Sequence, residues 1–131
     1  MREILFRGKD IAGNWHYGVP LVFTEDYVCI TAPHTYNKAV EANTVGQYTG
    51  LTDKNGTKIF GGDVCQIKGV PRYDETPFVI EWNNEFGGWY WKDVDGSDTT
   101  DALWQIVTEK AEVIGNIHDN PELLKGETDN A

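Results

Sequence analysis

The sequence predicts a mostly β protein made of short strands separated by tight turns. Three observations predict it. Apolar and polar residues alternate within short runs, and no stretch repeats every three or four residues over helical length. Most of the 14 glycines fall between those runs, where turns need them. Aromatic residues make up 12% of the chain and lie mostly inside the runs, where a pleated surface favours them. At 131 residues, 40% apolar and 24% charged, the chain has a globular composition. It can bury about two-thirds of its unfolded surface, so it needs no disulfide or metal staple. Wholesale disorder is excluded.

The elements follow in order. Residues 2–8 read as a first strand, with Ile4 and Phe6 on one face and Glu3, Leu5 and Arg7 on the other. Asp10 to Asn14 is a turn, and Trp15 to Val19 returns as the second arm of a hairpin. Leu21 to Phe23 and Tyr27 to Ile30 read as two further short strands, joined by Thr24-Glu25-Asp26. Ala32 to Ala42 mixes polarity after an early Pro33 and reads as a loop. Val45 to Leu51 is a strand ending at the strong turn Thr52-Asp53-Lys54-Asn55-Gly56. Thr57 to Phe60 resumes the chain. Gly61-Gly62-Asp63 bends it again into a strand over Val64 to Lys68, a pattern found at the corners of small barrels.

Pro71 to Pro77 is a polar loop. Phe78 to Trp82 and Trp89 to Trp91 form a hairpin around the turn Asn83 to Gly88. Phe78, Ile80 and Trp82 share a face, and Trp89 and Trp91 lie opposite Tyr90. An acidic loop follows over Asp93 to Asp98. Leu103 to Val107 and Ala111 to Ile117 are the last expected strands. Asp119-Asn120-Pro121-Glu122-Leu123-Leu124 reads as a capped helical turn, with Pro121 at the first helical position. Gly126 onward is an expected tail.

Charge is unevenly spread. Residues 1–73 hold eight Lys+Arg and seven Asp+Glu, a sum of +1. Residues 74–131 hold three and fourteen, a sum of −11, which makes the total −10. Such a surface repels phosphate, so direct nucleic-acid binding is not expected, and the charge suits a basic protein partner or simply maintains solubility. The longest apolar run, Tyr17 to Phe23, is interrupted by Gly18 and Pro20 and is too short to span a bilayer, so no membrane partner is expected. The N-terminus lacks an apolar signal region, and Cys29 and Cys65 form no Cys-x-x-Cys pair. A cytoplasmic protein with free thiols is the expectation.

Three segments resemble the YopX-like family of phage and prophage proteins. They are Phe6-Arg7-Gly8-Lys9 near the start and Thr44 to Gly56 running on through Ile59-Phe60 to Gly62-Asp63-Val64. The third is Val113 to Leu124. The middle segment is the most specific. Gly61 and His118 depart from the family pattern. The resemblance implies an SH3-like barrel in the C-terminal part, over residues 44–131, after an N-terminal β region over 1–43. A short C-terminal helical turn completes that fold. It also implies a homo-oligomer in the cytoplasm of a bacterial host, and carries no established activity.

Residue chemistry adds candidates. His16, His34 and His118 share no metal-ligand spacing. The loop after Asp93 has Gly96 fourth and Trp104 twelfth, which fails the calcium-loop pattern. Glu81 and Glu85 flank the aromatic hairpin without other acid–base signals. No catalytic, metal or cofactor residues are assigned, and no cofactor is expected. The candidate interaction surface is Trp89, Tyr90, Trp91, Asp93, Asp95, Asp98 and Asp101, for a basic host or phage protein. Two alternatives stand beside the accessory protein acting by contact. One is a small enzyme or ligand-binding barrel using Asp63, His16 or Cys65. The other is an acidic mimic of DNA.

Overall fold

A computed structural model of the chain describes residues 3–33, 37–69, 76–85, 87–94, 100–102 and 109–125. It is mostly β, with two antiparallel sheets. The chain packs as two compact units, Met1–Gly50 and Leu51–Ala131.

In the first unit β1 (Phe6–Lys9) pairs with β2 (Trp15–Phe23), which pairs with β3 (Tyr27–Thr31) and then β4 (Lys38–Glu41). β5 (Gly46–Thr52) lies on the other side of β1. Two expectations change here. The expected strands at Trp15–Val19 and Leu21–Phe23 are one strand, because a β-bulge between Pro20 and Val22 absorbs an extra residue, Leu21. A bulge is also where a strand tolerates proline's missing N–H. The expected loop Ala32 to Ala42 contains β4, which pairs with β3 from Tyr27↔Glu41 to Ile30↔Lys38. The core of this unit is Val28, Ile30 and Val40, with Ala42 and Val45 against them. Burial of each such side chain contributes about 1.5–3 kcal/mol.

The second unit begins as β5 enters the turn Asp53 to Thr57, where Asp53 N donates to Thr57 O at 2.8 Å. β6 (Lys58–Phe60) returns beside the end of β5. A five-stranded sheet follows, ordered β10-β9-β8-β7-β11, from β7 (Asp63–Ile67), β8 (Phe78–Asn83), β9 (Gly88–Asp93), β10 (Thr100–Ala102) and β11 (Ala111–Asn116). Among the described residues this sheet stays open, so the closed barrel that the family resemblance implies is corrected to an open sheet with β10 and β11 at its edges. β10 falls beyond the acidic loop, where no strand was expected. The strand expected over Leu103 to Val107 lies outside the described residues. Pro121–Lys125 forms a 3-10 turn.

The core here is Ile59, Cys65, Ile67, Phe78, Ile80, Trp91 and Ala111. Phe78 and Trp91 meet at 4.9 Å between ring centroids. The outer edge of β11 is capped. Lys54 N donates to Ala111 O at 3.0 Å, Val113 N donates to Asp53 Oδ2 at 2.9 Å, and Asn116 N donates to Asn120 Oδ1 at 3.2 Å. These contacts occupy groups that an added strand would need.

Candidate functional site

The first unit presents an apolar face whose origin is visible in β1 and β2. Pairing puts Phe6 opposite Gly18 and Gly8 opposite His16, so these share one face of the sheet. A Cβ on Gly18 would run into the backbone carbonyl of Thr31, and one on Gly8 would run into Val40. Small residues on that face let the backbones close onto Ile30 and Val40. Phe6, His16 and Phe23 share the glycine face, while Tyr17 and Val19 stand on the other.

That outer face carries Tyr17 and Val19 of β2, then Val22 beyond the bulge, and Tyr27 of β3, whose register puts it on the same side. Tyr17 is 49% exposed, Val19 44%, Val22 56% and Tyr27 46%. Leu21, the extra residue of the bulge, is 57% exposed. Half-buried Cys29 and Thr31 and exposed Ala39 fill the space between strands. One end is closed by Trp15, whose ring lies 4.8 Å from Arg7 Cζ and 5.8 Å from Lys9 Nζ.

The hairpin turn beyond Lys9 is held by Asp10. Its carboxylate accepts hydrogen bonds from Ala12 N and Asn14 N, each at 2.9 Å, and lies 2.8 Å from His16 Nε2. The His16 contact, followed by the Asn14 amide, lowers the Asp10 pKa to about 2. His16 is thus the partner of a turn carboxylate.

In the second unit the seven residues chosen from sequence divide. Trp91 is in the core at 9% exposure, and Trp89 is half-buried against it. Asp93 is 8% exposed. Tyr90 lies on the opposite face, where its hydroxyl donates to Glu81 Oε2 at 2.7 Å; that bond raises its pKa. Asp101 sits on β10 with its backbone opposite Trp91. Asp95 and Asp98 lie outside the described residues, as does His34. Among the described aromatics of this unit the exposed one is Trp82, 49% exposed, in a T-shaped contact with Trp89 at 5.4 Å. Its Nε1 donates to Asn84 Oδ1 at 2.8 Å. Cross-strand pairing of Trp82 with Trp89 carries the core face out towards the hairpin tip.

The nucleophile and acid candidates sit in structural roles. Cys65 is fully buried, and desolvation, with the Asp63 and Asp53 charges, pushes its thiol pKa far above the usual range. Asp63 is 1% exposed, and its Oδ2 accepts Phe60 N at 2.8 Å across the Gly61-Gly62 bend. The backbone N–H of His118 donates to Asn116 Oδ1 at 3.0 Å. Among the described residues no three His, Cys, Asp or Glu side chains gather as a metal site.

A family model described as YopX protein matches residues 7–125. The chain belongs to the YopX family. Its match spans both units, from β1 to the final 3-10 turn. Among solved structures, this YopX-family chain is similar to one described as the crystal structure of protein EF1440 from Enterococcus faecalis. The TM-score is 0.63 at 24% identity, covering 95% of this chain and 99% of that one. That likeness shows a shared fold. No curated protein matches the chain. No helix among the described residues is long and apolar enough to cross a membrane.

Proposed function

We propose that this YopX-family chain is a phage or prophage accessory protein that works by protein–protein contact, self-associates, and acts in the cytoplasm of a bacterial host. One observation carries the contact reading: five large apolar side chains, Tyr17, Val19, Leu21, Val22 and Tyr27, stand 44–57% exposed on and beside one sheet face. Scattered apolar residues are ordinary on a surface, but a contiguous set rimmed by polar residues marks a contact site. Family membership supports the phage setting. For the second unit the reading of an SH3-like relative is supported by the Gly61-Gly62-Asp63 bend feeding β7 and by the four antiparallel pairings of its five-stranded sheet.

A second contact reading rests on charge. Leu51–Ala131 holds seven Lys+Arg and sixteen Asp+Glu, a sum of −9, whereas Met1–Gly50 holds four and five, a sum of −1. The acidic unit, with the Trp89 to Asp101 region, would meet a basic host or phage protein. The test is light scattering on the full chain together with capture from a bacterial lysate at low and moderate salt. A mass above 14.7 kDa, or a retained specific protein, is the expected result. A monomer that retains nothing at either salt overturns the proposal.

A further inference from the structure

The outer face of β2 and β3 has the size and charge to take a second copy of itself. We infer that two chains pack these faces together, sheet on sheet, with Leu21 and Val22 at the bulge near the centre; this rests on the self-associating reading above.

Area comes first. At the exposures given, the five side chains present roughly 450 Å², over half of the ~800 Å² that each partner brings to a standard interface. Cys29, Thr31 and Ala39 lie on the same face and supply further area at its centre. Sheet faces pack about 10 Å apart with interdigitating side chains, and alternating Tyr17, Val19 and Val22 present the projections and gaps such packing uses.

Charge comes second. A self-contact brings like charges together, so it belongs where charge is least. The first unit sums to −1 and the second to −9. Among the described residues, the ionised side chains on this face are Arg7, buried opposite Tyr17, Lys9 beside Trp15, and Glu41 opposite Tyr27. Around Val19, Val22 and Cys29 no described residue on this face is ionised, as in the core of a stable interface. An interface of this kind is held by apolar burial, so salt, which screens repulsion between the acidic units, strengthens the assembly.

Cys29 provides a probe. It lies half-buried on this face, opposite Val22, while Cys65 is fully buried in the other unit. The experiment follows alkylation of Cys29 by iodoacetamide in the full chain over a range of protein concentrations, beside sedimentation of the same samples. The account predicts that as mass rises, Cys29 alkylation slows by about fivefold or more, since labelling follows the free fraction. It also predicts that Leu21→Asp and, separately, Val19→Lys keep the thermal midpoint but weaken association by about a hundredfold, and restore fast alkylation. A rising mass with unchanged Cys29 alkylation overturns this interface while leaving self-association standing. A monomer at all concentrations overturns both, and leaves contact with a different protein as the surviving part of the functional reading.

Discussion

Asp53 Oδ2 accepts the backbone N–H of Val113 at 2.9 Å, from a residue sixty positions along the chain. The other oxygen, Oδ1, accepts Asn55 N at 2.8 Å and Thr57 N at 2.9 Å. One carboxylate, 5% exposed, therefore shapes the turn after β5 and caps the edge of β11. Removing it strands three donors. Asp53→Ala should lower stability by about 3 kcal/mol, measured by urea unfolding. Asp53→Asn, which keeps an acceptor oxygen, should cost less. Equal stability of all three proteins would show that the carboxylate is not holding these elements.

Gly18 faces the backbone of Thr31, which cannot move aside as a flexible side chain can. Gly18→Ala should destabilise the protein by about 1–3 kcal/mol through overpacking, although its new methyl adds apolar surface. The midpoint of thermal unfolding checks it. An unchanged midpoint would mean that β2 and β3 do not approach this closely.

Asp10 has its pKa lowered from 3.8 to about 2 on folding. The stabilisation this represents is fully present above the unfolded value and is lost as pH falls through the folded one. Between pH ~4 and ~2, the wild type should lose stability more steeply than Asp10→Asn, which has no proton to take up at this position. Parallel curves in that window would contradict the contact with His16.

The two cysteines should differ sharply towards a thiol reagent. Cys65 is fully buried with a raised pKa, so at neutral pH the native protein should react with Ellman's reagent at Cys29 alone. Both should react once the chain is unfolded. Fast reaction of two thiols in the native state would place Cys65 outside the core.

Among the aromatics, Trp91→Ala should cost about 3–5 kcal/mol because it empties a core position against Phe78. Trp82→Ala should cost far less, since that ring is half exposed. Comparable losses would contradict the core assignment.

Much of this fold can be read from residue order. Alternation identifies β8 and β9 and puts Trp89 and Trp91 on one side of the strand. It does not say which side is inside, and packing against Phe78 and Ile80 decides that. The motif segment around Asp53 and Gly62-Asp63, which carries the family resemblance, turns out to hold turns and strand edges. β4 was missed because four residues with two apolar side chains carry no periodic signal; pairing with β3 makes the strand. Pro20 concealed the continuity of β2 because the bulge that accommodates it is a tertiary feature. The outer face of β2 is not legible in residue order, because alternation over Tyr17, Val19 and Val22 does not say which side of the strand is inside. The available signal was glycine. Gly8 and Gly18 fall on the face that closes onto Ile30 and Val40, which is the buried side at that point of the sheet.

The central claim is that the outer face of β2 and β3 makes a protein contact, and sedimentation equilibrium of the wild type beside Leu21→Asp tests it most directly. The account predicts a wild-type mass above 14.7 kDa that rises with concentration and is not reduced by salt, and a folded Leu21→Asp protein close to the monomer mass. An identical mass for the two proteins at every concentration would contradict it.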